Sequence, residues 1–171
     1  GFTVYLPSLF GRDGAVPGAE EGAAVFQRAC VSAEFRALAA NQSSPVTQWL
    51  RALARQAHQE CGGPGVGAIG LCFTGNFALT MMLEPSVLAP VLCQPSLPLN
   101  DPAGLEIAPA DLDAVRQRLD REDLTVLAYR FAGDPPGTIR EIVRLGEGQG
   151  PTDGTSWGDY SGSAVDGDNL E

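Results

Sequence analysis

The residues best suited to chemistry in this 171-residue sequence lie in one short turn, Gly70-Leu71-Cys72-Phe73-Thr74-Gly75. An apolar run, Val66 to Leu71, leads into it, and a helical pattern follows to about Leu83, where Pro85 stops it. Strand, tight turn and helix, with a cysteine in the turn, is the pattern of a nucleophile elbow. In such a turn the nucleophile takes a strained backbone conformation, so that its side chain stands clear of the sheet edge. Residues two positions away must be small, because strand and helix approach closely there; Gly70 meets that need. The head of a helix, with its free amides, also favours an anion. The amide of Phe73 then points at the oxyanion of a tetrahedral intermediate. A free cysteine at a strand end is equally a common small core residue, and the turn alone leaves both readings open.

Other chemistry is poorly supplied. His58 is the one histidine, and it belongs to the helix that precedes the elbow. Cys30, Cys61, Cys72 and Cys93 form no CxxC pair, so neither a zinc site nor a disulfide framework is expected. No metal or cofactor is expected. Gly65-Val66-Gly67-Ala68-Ile69-Gly70 matches G-x-G-x-x-G. A dinucleotide fingerprint must follow a strand and open a helix, whereas here a helix precedes the glycines and the strand overlaps them.

Strands and helices alternate around this turn. Phe2 to Leu6 reads as a strand, and residues 21–40 as a helix. Ser44-Pro45 reads as an N-cap with proline in the first turn. The helix that follows places Val46, Trp49, Leu50, Leu53 and Ala57 on one face. Val87 to Cys93 is a strand, Asp111 to Arg121 an amphipathic helix, Leu124 to Phe131 a strand, and Thr138 to Leu145 a helix. Trp49, Met81, Met82 and Cys93 are expected in the core. This order predicts an α/β fold, a mostly parallel sheet flanked by helices on both faces. Residues 146–171 hold seven glycines and six acids with no base, and their composition predicts disorder.

The net charge is -10 and every cation is arginine. No basic stripe exists for phosphates, so nucleic acid is not an expected partner. No apolar run reaches the roughly 20 residues of a membrane helix, and no signal peptide opens the sequence. A cytoplasmic, reducing setting is expected, with no membrane partner.

The elbow G-L-C-F-T-G-N-F-A-L resembles the dienelactone hydrolase family, α/β-hydrolases that carry cysteine where most carry serine. V-Y-L-P-S-L-F-G-R near the start resembles that family's fourth strand and the loop after it. L-A-Y-R-F-A-G-D-P resembles its seventh strand and acid-bearing loop. The resemblance covers residues 1–145 and implies a partial α/β-hydrolase fold lacking the first strands and the segment with the catalytic histidine. It implies Cys72 as nucleophile, Asp134 as the triad acid, the Phe73 backbone amide in the oxyanion hole, and Arg36 as a partner for a substrate carboxylate. The implied substrate is a small ester or lactone. Thr74 replaces the family's usual glycine, which is expected to crowd the elbow, and Ser8 replaces an aspartate. No histidine follows residue 58. Two alternatives stay open: a non-catalytic fragment or pseudo-enzyme with a small-molecule pocket, and a redox-sensing thiol at Cys72.

Overall fold

The computed structural model describes residues 1–9, 14, 18–33, 35, 39–96, 98, 101 and 104–129. Four helices, α1 (Ala19–Val31), α2 (Val46–Cys61), α3 (Gly75–Met81) and α4 (Pro109–Glu122), accompany three strands, β1 (Val66–Leu71), β2 (Val87–Cys93) and β3 (Leu127–Tyr129). The strands form one parallel sheet in the order β1-β2-β3. Each crossover passes through a helix, as parallel pairing requires. The chain is thus of α/β type, with a small parallel sheet flanked by helices.

Alternation along the strands decides which side is covered. Ala68 of β1, Leu92 of β2 and Ala128 of β3 face one way. They pack with Ala54 of α2, Ala78, Leu79 and Met82 in and after α3, and Val115 of α4. The opposite face is open among the described residues: Ile69 is 69% exposed, Leu71 56%, Leu127 38% and Tyr129 43%. The sequence predicts helices on both faces. The helix predicted over residues 138–145 lies outside the described residues, as do the acidic tail and Phe131.

Three further expectations are corrected. Residues 2–6 form no strand, and Phe2, Val4 and Leu6 are exposed. β-Branched and aromatic residues suit a sheet only when a neighbouring strand receives them. Here Tyr5 instead reaches the end of α2, where its hydroxyl donates to the Glu60 carboxylate at 2.5 Å. The helix predicted over 21–40 ends at Val31, and the Phe35 amide turns back to the Ser32 carbonyl. On α2 the buried stripe is Thr47, Leu50, Ala54 and Ala57, rotated from the expected one, so that Trp49 is half-exposed rather than core. Met82 is buried as expected, and Met81 packs partly buried against the core.

The turn between α3 and β2 is held by a buried cation. Arg118 of α4 donates to the carbonyls of Met82 (2.7 Å), Glu84 (2.8 Å) and Pro85 (2.8 Å). Its Nε pairs with Glu122 at 2.9 Å. Nearby, Arg55 meets the buried Glu84 carboxylate at 2.5 Å. Burial alone raises the Glu84 pKa, but hydrogen bonds from Arg55 and Ser86, with the Arg55 charge, bring it net below the ordinary carboxylate range. A folded-state pKa that is depressed contributes stability at neutral pH and loses it as pH falls through that value. The wild type should therefore exceed Glu84→Gln by on the order of 1 kcal/mol at pH 7. The two should converge in urea unfolding curves at pH 3, and a gap that stays constant with pH would contradict this.

Candidate functional site

β1 ends at Leu71 in an ordinary extended conformation, φ -121° and ψ 135°. The next residue, Cys72, has φ 49°. A left-handed backbone costs a non-glycine residue about 1–2 kcal/mol, and such strain tends to gather at functional turns. A single 3-10 turn, Cys72–Thr74, then feeds α3. Cys72 is exposed.

Two glycines allow this turn. A Cβ on Gly70 would lie 2.3 Å from the Thr74 carbonyl oxygen and 3.0 Å from Gly75 Cα. A Cβ on Gly75 would lie 2.6 Å from Pro95 Cα. The strand below and the chain beyond β2 both press on the turn, and neither contact leaves room for a side chain. Thr74 does not crowd the elbow as expected. It is the Thr74 carbonyl that covers Gly70, while the hydroxyl ties the turn together. The Leu71 amide donates to Thr74 Oγ1 (3.1 Å), and Thr74 Oγ1 donates to the Leu71 carbonyl (3.0 Å).

The segment after β2 closes around the turn. The Ser96 amide donates to the Cys72 carbonyl at 3.0 Å, and the Gln94 amide donates to the Tyr129 carbonyl at 2.7 Å. Asn76 Nδ2 donates to the Ser96 carbonyl at 2.9 Å. Cys72, Cys93, Ser96 and Tyr129 therefore meet at the carboxyl edge of the sheet, where ligands bind in open parallel sheets. Sequence reading missed Ser96 and Asn76, which lie in a loop and at a helix start with no motif to mark them.

Phe73 turns its ring inward. It packs with Phe35 (centroids 6.3 Å apart) and Phe77 (6.1 Å), and Leu50 joins the cluster. The cluster anchors the residue after Cys72 and so fixes where the turn stands. Cys93, expected in the core, is half-buried at the end of β2, on the open face; burial pushes its thiol pKa up.

Not every predicted residue comes to this edge. His58 lies one turn from the end of α2, and α2 ends at the start of β1. Six strand residues at ~3.3 Å each put it roughly 20 Å from Cys72. It is half-buried, and its Nδ1 has no hydrogen-bond partner among the described residues. Arg36 and Asp134 lie outside the described residues. Among the described residues no group of three metal-ligating side chains stands together, and no helix is long and apolar enough to cross a membrane.

No family model, curated protein or solved structure matches the chain. What it can do chemically rests on the turn itself.

Proposed function

We propose that this chain carries the nucleophile of a carboxylic ester or lactone hydrolase of the dienelactone hydrolase type. The observation that carries the reading is Cys72 at φ 49° between a parallel strand and a helix, above a glycine with no room for a Cβ. In this reading β1, β2 and β3 correspond to strands of a partial α/β-hydrolase fold. The Cys72 thiolate adds to the substrate carbonyl carbon, and the Phe73 amide donates to the oxygen that becomes negative. The tetrahedral intermediate expels the alkoxide, which takes a proton from water, and leaves a thioester on Cys72. Water then cleaves the thioester to release the acid and restore the thiol. Asp134 orients a histidine that would shuttle these protons, and Arg36 receives a substrate carboxylate. Free cysteines suit a reducing, cytoplasmic setting.

The position of His58 supports a chain that acylates without efficient turnover. General acid–base help is worth ~10²–10⁴-fold, and His58 stands too far from Cys72 to give it. Incubation of the 171-residue chain with p-nitrophenyl acetate should release about one nitrophenolate per chain and leave an acetyl thioester at Cys72, with little release after that. Cys72→Ala should abolish the burst. Acetylation spread evenly over Cys61, Cys72 and Cys93 would remove the case for a nucleophile. Steady turnover dependent on Cys72 would mean that a base reaches it from elsewhere.

A further inference from the structure

The two thiols at the carboxyl edge are neighbours by register. Leu71 of β1 pairs with Cys93 of β2. Because Leu71 is extended, the Cα of Cys72 stands where a seventh strand residue would be. With strands ~4.8 Å apart and a rise of ~3.3 Å per residue, the Cα atoms of Cys72 and Cys93 are about 6 Å apart. That lies within the roughly 4.4–6.8 Å span of disulfides.

Direction matters as much as distance. Strand alternation would send residue 72 to the helix-covered face, with Ala68 and Gly70. Its φ of 49° replaces a strand value near −120°, which turns the Cα–Cβ bond by roughly 170° about N–Cα. The side chain therefore leaves the covered face and stands on the side that carries Leu71, Cys93 and Tyr129. The exposure of Cys72 agrees with this turn. Cys61, by contrast, ends α2 at the opposite end of β1.

We propose that Cys72 and Cys93 form a thiol–disulfide pair that responds to peroxide, with Cys72 the attacking thiol and Cys93 the resolving one. The Cys72 thiolate attacks one oxygen of hydrogen peroxide and the O–O bond breaks. This yields Cys72 sulfenic acid and hydroxide, the peroxide taking up the two electrons that the sulfur gives. The Cys93 sulfur then attacks the sulfenic sulfur. The S–S bond forms, the Cys93 proton and the sulfenic hydroxyl leave as water, and no further oxidant is consumed. The roles follow exposure: Cys72 meets solvent, while Cys93 is half-buried. Two electrons from any dithiol reductant restore both thiols.

The test uses the reduced full chain and equimolar hydrogen peroxide, followed by alkylation and, without reduction, cleavage after methionine with cyanogen bromide and after glutamate with a glutamyl endopeptidase. Cleavage after Glu60, Met81, Met82 and Glu106 places Cys72 in residues 61–81 and Cys93 in residues 83–106. A covalent link between these two peptides is expected, with two free thiols lost per chain. Fragmentation of the linked pair should place the bond at Cys72. The link should persist in Cys61→Ser and vanish in Cys72→Ser. In Cys93→Ser, excess peroxide should carry Cys72 on to sulfinic acid. A free Cys93 beside an over-oxidised Cys72 in the wild type would overturn the proposal. So would a link at Cys61, or disulfide-joined dimers in place of the internal bond.

Discussion

Gly70→Ala is expected to destabilise the fold by at least about 3 kcal/mol, beyond the usual cost of an added methyl group in a packed site. The new Cβ would lie 2.3 Å from the Thr74 carbonyl oxygen. That atom is backbone and cannot swing away as the end of a side chain could. Relief requires β1 to part from the 3-10 turn, which breaks the two hydrogen bonds between Leu71 and Thr74 and moves Cys72. Gly67→Ala is the matched control, since its Cβ would meet only the Ala89 carbonyl at 3.6 Å, an ordinary contact. Urea unfolding of the two variants and the wild type checks this. Equal midpoints for Gly70→Ala and Gly67→Ala would show that the turn has more slack than its geometry implies. The burst of nitrophenolate should fall in Gly70→Ala alone, at urea concentrations where both variants remain folded.

Arg118→Ala should cost about 3–5 kcal/mol, in the range for removing one partner from a buried charged network. The side chain is 8% exposed, and its guanidinium donates to three carbonyls at once. Removing it strands the carbonyls of Met82 and Pro85 at the entry to β2 and leaves that of Glu84 with the Val87 amide. Arg118→Lys should recover only part of the loss, because an ammonium cannot reproduce the planar fork that spans these acceptors. Arg116→Ala removes a side chain that is 46% exposed and loosely paired with Asp113 at 3.7 Å. Its effect should stay within about 0.5 kcal/mol. Comparable losses for the two arginines in thermal or urea unfolding would overturn the distinction.

The central strands were legible in the sequence because they are short apolar runs bounded by glycine and proline. Val66 to Leu71 and Val87 to Cys93 fall where the structure has β1 and β2. The tight turn was legible too, since Gly70 and Gly75 are there for contacts that only a missing side chain permits. Phe2 to Leu6 misled because propensity reports a residue's fitness for a sheet and not the presence of a partner strand. Trp49 misled because it borders the buried stripe of α2 and a rotation of less than one residue moves it to solvent. Arg118 could not have been singled out: an i,i+4 pair with Glu122 reads as a solvated helix face. Its burial depends on a turn more than thirty residues earlier. The placing of Cys72 beside Cys93 depends on strand register, which no local pattern in either segment encodes.

Arg118 also sets an order of events as the chain is made. The carbonyls it holds lie 33, 34 and 36 positions before it. At about 5–20 residues per second, roughly 2–7 s separate the emergence of that turn from the emergence of its clamp. β1 and α3 are complete in sequence throughout that interval and β2 for most of it, while the carbonyls of Met82 and Pro85 wait for their donor. A slip of one residue between β1 and β2 would exchange their two faces, and during those seconds it is opposed by the strands' own apolar alternation and by two earlier contacts of the turn, Arg55 with Glu84 and the Val66 amide with the Ser86 carbonyl. The nascent chain thus carries the cysteine turn before it carries the residue that fixes the strand beside it, and the pace of translation from Pro85 to Arg118 governs how long that condition lasts.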